Sequence, residues 1–140
     1  MSFYVDTNVV MSFLLEDAHS SKVDDWLGKA PRAIFASFWL EAEFFALIGK
    51  KTRSGALTSD QSRVILDRFE AEFLTQGRRL GATASAGLIA SSLARDASLK
   101  LSAADTLHLA LSVDYGLTLL TFDARLADAA VARGHAVEVP

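Results

Sequence analysis

Apolar and polar positions along this chain follow two rhythms that alternate from start to end. Short apolar runs bounded by polar or turn residues predict strands at FYVD (3–6), AIFAS (33–37), RRLGA (78–82), LTLLTFD (117–123) and AVEV (136–139). Between them, apolar residues spaced three and four apart predict helices. These cover TNVVMSFLLE (7–16), HSSKVDDWLGK (19–29), FWLEAEFFALIGKK (38–51), RVILDRFEAEF (63–73), SAGLIASSLARDA (85–97), SAADTLHLALSVDYG (102–116) and ARLADAAVARG (124–134). Ser37 is placed to cap the long third helix, Thr58 or Ser59 the fourth, and Gly116 to end the sixth. Strands alternating with helices imply an α/β fold with a parallel sheet covered on both faces. In such sheets ligands bind at the carboxyl ends of the strands.

That edge is where the sequence becomes unusual. Asp6 closes the first strand and Asp123 closes the fourth, so both carboxylates fall on one edge of the sheet. A carboxylate at the end of a buried strand is expensive to desolvate unless something pairs with it. Asp6 therefore either caps the following helix or holds a cation. Glu41 and Glu43 lie early in the helix after the second strand, and Asp105 lies early in the helix before the fourth. Asp6, one glutamate, Asp105 and Asp123 could form a ring of acids. Like charges 4 Å apart repel by roughly 4 kcal/mol at an effective dielectric of 20, so such a ring needs protons or cations. Oxygen-only ligands suit Mg²⁺ or Mn²⁺. Each acid also has a plain structural role open to it: Asp6, Asp105 and Asp123 as helix caps, a glutamate as half of an ion pair. His108 shares a helical face with Asp105, as a satisfied histidine beside the cleft or as a ligand. His19 and His135 show no partner in the sequence.

Composition narrows the classes. The chain has 140 residues, 51% hydrophobic and 22% charged, which suits one globular domain over 1–140. No cysteine is present, so disulfides and thiolate metal sites are excluded. Without a signal-peptide pattern or a run of about 20 apolar residues, the expected setting is cytoplasmic, with no membrane association. A formal net charge of -3 argues against a protein that coats nucleic acid, but leaves a nuclease open. Lys50, Lys51 and Arg53 cluster, as do Arg78 and Arg79; they could guide a phosphate backbone or simply sit at helix ends. There is no P-loop lysine.

Taken in order, YVDTNVV, SFWLEAEFFALIGKKTRSGALTSDQ, LSAADTLHLALS and LLTFDARLADAA resemble the PIN-domain ribonucleases, and more narrowly the VapC toxins of type II toxin–antitoxin modules. The resemblance implies a three-layer α/β/α sandwich around a parallel sheet. It matches the family's acids to Asp6, Glu43, Asp105 and Asp123, choosing Glu43 over Glu41 because it follows Ser37 by six positions. Asp6 and Asp105 are then direct metal ligands, with Glu43 and Asp123 bound directly or through water. Asn8 and Thr121 match supporting polar positions. It further implies Mg²⁺- or Mn²⁺-assisted hydrolysis of RNA, with 5′-phosphate and 3′-hydroxyl products, a cognate antitoxin and a homodimer. A housekeeping PIN nuclease is an alternative, as is a binding module of the same fold with a degenerate active site, which the intact acids oppose. A haloacid-dehalogenase-like phosphatase wants an acid where Asn8 stands, and a receiver module wants a lysine after its last strand, which HAVEV does not supply.

Overall fold

The computed structural model describes residues 1–74 and 78–140. The chain runs β1 (Ser2–Val5), α1 (Thr7–Leu14), α2 (Ser20–Gly28), β2 (Ala33–Ser37), α3 (Phe38–Arg53) and α4 (Ser59–Phe69). A π-helical turn at Glu70–Leu74 follows, then β3 (Arg79–Leu80), α5 (Ala84–Arg95), α6 (Ala103–Asp114), β4 (Thr118–Leu120), α7 (Ala124–Ala132) and β5 (Val137–Glu138). Among the described residues the strands form one sheet in the order β3-β2-β1-β4-β5, every neighbouring pair parallel.

Alternation along the strands sorts the core into two layers. Phe3 and Val5 of β1 and Leu120 of β4 point to one face, where α1 to α4 pack with Val9, Trp26, Leu40, Phe44 and Phe69. Tyr4 and Leu119 point to the other, against α5 to α7 with Ala86, Ala90, Leu109, Leu111, Leu126 and Ala130. The result is the three-layer α/β/α sandwich expected. Aromatic rings fill the first layer, with Phe44 stacked on Phe69 at 4.5 Å and Phe3 edge-on to Trp26 at 4.9 Å. Of the aromatics in α3, Phe44 is buried, Phe38 and Trp39 are half-buried, and Phe45 sits at the surface against Phe69.

The elements match the apolar rhythms closely, with differences at the ends. The fourth strand stops at Leu120 rather than Asp123. Thr121 accepts the Asp123 N–H through its hydroxyl, turning the chain away from the sheet before Phe122. The fourth helix is α-helical only to Phe69 and continues as the π turn. Its cap is Thr58, in a reciprocal capping box with Gln61, rather than Ser59. No helix among the described residues is long and apolar enough to cross a membrane.

Candidate active site

β1 and β4 lie side by side at the centre of the sheet, yet the chain leaves β1 towards β2 and reaches β4 only after β3 at the far edge. This is a topological switch point, where the following loops part and leave a crevice at the carboxyl edge. A cleft of about 500 Å³ opens there, lined by the polar and acidic Asp6, Thr7, Asn8, Glu43, Asp105, His108 and Asp123 together with Met11, Ser12, Asp17, His19, Leu47 and Phe122. Asp105 reaches it although its helix precedes its strand. A helix leading straight into a parallel strand runs against that strand, so α6 starts at the carboxyl edge. The tight turn at Gly116, with φ +64°, then brings the chain into β4.

Asp6 caps the following helix, one of the two roles its sequence position allowed, and it also lines the cleft. Its Oδ1 accepts the Thr7 N–H at 2.6 Å, and its Oδ2 accepts the Thr121 hydroxyl at 2.6 Å. The Thr121 oxygen in turn accepts from the Asp123 N–H at 2.9 Å and from Asn8 Nδ2 at 3.4 Å, while Asn8 Oδ1 accepts the Phe122 N–H. One hydroxyl thus ties the ends of both central strands together. Asp123 is the N-cap of α7, and Asp105 completes the capping box of α6, whose N-cap is Ser102. Asp105 Oδ2 closes a capping box with Ser102, and Asp123 Oδ1 accepts the N–H groups of Arg125 and Leu126. Each of these two commits one oxygen to its helix.

Glu43, not Glu41, faces the cleft. Its Oε2 accepts from the Thr7 hydroxyl at 2.7 Å and lies 2.5 Å from His108 Nε2. Glu41 pairs instead with the half-exposed Arg79. His108 is the centre of the buried wall, 2% exposed, with Nε2 also 3.5 Å from Asp6 Oδ1. Its Nδ1 meets the Tyr4 hydroxyl at 2.8 Å, and that hydroxyl meets Ser37 Oγ at 2.8 Å. Ser37 Oγ also caps α3 by accepting the Leu40 N–H.

The electrostatics follow from this packing. Burial pushes the Asp6 carboxyl above its usual range, against the pull of His108, Thr121 and Thr7. Burial also works against charging His108, but the hydrogen bond to Glu43 and the charges of Asp6, Glu43 and Asp105 outweigh it and raise its pKa. For Glu43, burial is outweighed by the hydrogen bond and charge of His108 and by Thr7, leaving it below the ordinary carboxylate range. The Tyr4 phenol is driven up by burial and stays neutral. The surrounding carboxylates thus favour the charged form of His108, which sets it as the counter-group of Asp6 and Glu43 on this wall. Its Nε2 faces Glu43 and its Nδ1 faces the Tyr4 hydroxyl, which continues the chain to Ser37 Oγ.

Lys50, Lys51 and Arg53 end α3, where cations complement the helix dipole. At 1.5 Å per residue, Arg53 is about 15 Å along the helix from Glu43. Arg78 lines a separate apolar cavity with Trp26 and Arg32, and Arg79 is paired with Glu41. None of these cations lines the cleft. Two histidines do have partners: His135 Nε2 meets Ser112 Oγ at 3.0 Å, and His19 stacks on Phe122. Sequence reading also passed over Tyr4 and Thr7, whose only signal was a polar atom at a buried strand end.

The PIN domain family model matches residues 3–132. The chain belongs to the PIN-domain family. The fold of this PIN domain recurs in FitAcB from Neisseria gonorrhoeae, 23% identical, with a TM-score of 0.74 over 96% of this chain and 95% of that one. It also resembles VapBC2 from Rickettsia felis, solved bound to a promoter DNA fragment, at 16% identity and TM-score 0.73 over 100% and 99% of the two chains. A third is VapC20 from Mycobacterium tuberculosis, described as a sarcin-ricin loop cleaving toxin, at 18% identity and TM-score 0.71 over 91% and 94%. No curated protein sequence matches.

Whether the PIN domain's acids fit a divalent ion turns on their spacing and donor type. No three His, Asp or Glu side chains among the described residues stand close enough to cage an ion. The acids are thus less tightly grouped than the ring the sequence suggested, with Asp6 and Glu43 sharing His108 and Asp105 and Asp123 each tied to a helix start. The donors are nonetheless carboxylate oxygens around a cleft wide enough for water. Such a site fits an ion like Mg²⁺, which keeps several waters and takes few protein ligands, rather than one needing a full protein cage.

Proposed function

We propose that this PIN domain is a Mg²⁺- or Mn²⁺-dependent endoribonuclease and the toxin of a VapBC-type module. The observation that carries this is the convergence of Asp6, Glu43, Asp105 and Asp123 on one cleft at the switch point, from four different helices or their caps. Asp6 and Asp105 would hold the ion directly, Glu43 and Asp123 directly or through water. A divalent ion in such a place lowers the pKa of a water and offsets charge growing on a phosphate.

The chain's own residues supply orientation. Thr121 and Thr7 fix the Asp6 carboxylate from both sides, so no reorganisation is needed when substrate arrives. His108 fixes Glu43 and offsets part of the crowded negative charge. Water-driven hydrolysis needs no 2′-hydroxyl, so the products carry a 5′-phosphate and a 3′-hydroxyl. A cognate antitoxin and a homodimer complete the reading, supported by the fold shared with VapBC and FitAcB proteins. Nothing in the cleft speaks for the housekeeping or non-catalytic alternatives over this one.

The test is cleavage of single-stranded RNA by purified protein with Mg²⁺ or with EDTA, followed by end mapping. Cleavage should require the ion and fall about a hundredfold or more in Asp6→Asn, the loss expected when a few kcal/mol of transition-state stabilisation goes. The melting temperature of that variant without metal should hold or rise, because burial already penalises the Asp6 charge. Wild-type-like cleavage by Asp6→Asn, or cleavage undiminished in EDTA, would end the proposal.

A further inference from the structure

The lining of the cleft also carries a feature that phosphodiester hydrolysis does not use. His19 and Phe122 stack with centroids 4.5 Å apart and planes 27° from parallel, and both line the cleft. Phe122 is half-buried against the core and stands next to Asp123 in the chain. His19 is exposed, so the face turned away from Phe122 is open.

The backbone around His19 is tied down. Asp17 Oδ1 accepts the His19 N–H at 2.8 Å and its Oδ2 accepts the Ser12 hydroxyl at 2.8 Å. Ser20 Oγ accepts the Asp17 N–H and donates to the Ser12 carbonyl. This lacing fixes the α1–α2 loop without the imidazole: His19 occupies the N-cap position of α2, yet its side chain makes no capping bond. The ring is thus held flat on an aromatic support and presented to the cleft, with no structural duty beyond the stack.

The structure assigns His19, backed by Phe122, as a stacking platform for an unpaired nucleobase next to the phosphate held at the acidic wall. This rests on the ribonuclease reading of the cleft. A flat π-face takes any base, and stacking on aromatic side chains is the common way proteins grip unstacked nucleotides. The platform also explains how a net-acidic protein with no lysine or arginine among the described residues lining its cleft can retain RNA: part of the grip comes from the base, not the backbone. Substrates whose base is locked in a duplex at that position are excluded.

The experiment uses short single-stranded RNAs in EDTA, so that binding is read without cleavage, with the fluorescent base 2-aminopurine walked through each position. One position should be quenched on binding wild type. In His19→Ala that quench should vanish and affinity fall about five- to thirtyfold, equivalent to about 1–2 kcal/mol of stacking. His19→Phe should restore both. An abasic site at the quenched position should abolish the difference between wild type and His19→Ala. Absence of quenching at every position in wild type overturns the platform, as does equal affinity of His19→Ala for intact and abasic RNA together with wild-type affinity. Mg²⁺-dependent cleavage of the same RNAs is read separately. Quenching without cleavage counts against the nuclease and leaves the platform standing, whereas cleavage unchanged by His19→Ala, with no quench, does the reverse.

Discussion

On the buried wall of the cleft, Asp6 and Glu43 have their oxygens held by Thr7, Thr121 and His108, and the histidine itself is held by Tyr4. At the rim, Asp105 and Asp123 are half-buried, and each commits one oxygen to the start of a helix. The same residue type thus serves under two regimes. Inside, charge balance and fold are one problem, because an unpaired buried charge is costly. Outside, water screens the carboxylates and the helix needs only an acceptor. Losing His108 or Glu43 from the wall should therefore move stability and chemistry together, whereas Asp6, whose charge burial already penalises, and the acids at the rim should move chemistry with little loss of stability.

The sharpest break of that contrast is His108→Leu. It strands Asp6 and Glu43 without their counter-charge and should destabilise by about 3–5 kcal/mol, lowering the melting temperature by about 10 °C or more. Adding Asp6→Asn to His108→Leu should recover part of the loss, since one of the stranded charges is gone. A single His108→Leu that melts like wild type would show the wall is not charge-coupled.

Next in size is the pair of glutamates on α3. Glu43→Gln should depress cleavage at least about tenfold, as loss of an ordered site carboxylate does, and shift stability through His108. Glu41→Gln removes only a partner of the half-exposed Arg79, so stability should stay within about 1 kcal/mol, with cleavage kept. Parallel kinetics and denaturant titrations read both. A reversed ranking would move the cleft's fourth acid to Glu41.

At the rim, Asp123→Asn keeps a good N-cap, so unfolding free energy should change by no more than about 0.5 kcal/mol while cleavage drops. A loss of several kcal/mol would place Asp123 with the wall. The smallest effect lies outside the cleft altogether. Burial holds the His135 pKa below its ordinary value, opposed by a bond with the Leu117 backbone. Its neutral form is the one that fits the fold, so its contribution is present above the unfolded pKa of about 6.5 and is lost as pH falls through the folded value. His135→Gln should flatten the fall in melting temperature between neutral and mildly acidic pH, relative to wild type.

Much of this was legible in the sequence because strand ends and helix caps are local. The placing of Asp6 and Asp123 at one edge follows from alternation and chain direction alone. The choice of Glu43 over Glu41 did not, since apolar residues surround both on the helical wheel; it came from resemblance, and the structure places Glu43 at the cleft. His108 as counter-charge was out of reach, because its partners Tyr4 and Glu43 lie 104 and 65 residues away. The cations of α3 read well as a cluster, but a helix carries its charges along its length, and these end at the wrong pole. The His19–Phe122 stack joins two loops that no periodicity connects.

The bond from Thr121 to Asp6 spans 115 residues of sequence. A polypeptide emerging at roughly 5–20 residues per second carries its first acid out many seconds before the hydroxyl that must orient it. For most of its synthesis the chain has β1, α1 and α3 in hand and no working cleft, because the strand that closes the switch point comes after Gly116. Fragments that stop short of β4 lack both Thr121 and Asp123, so the proposed site is assembled only as β4 docks beside β1.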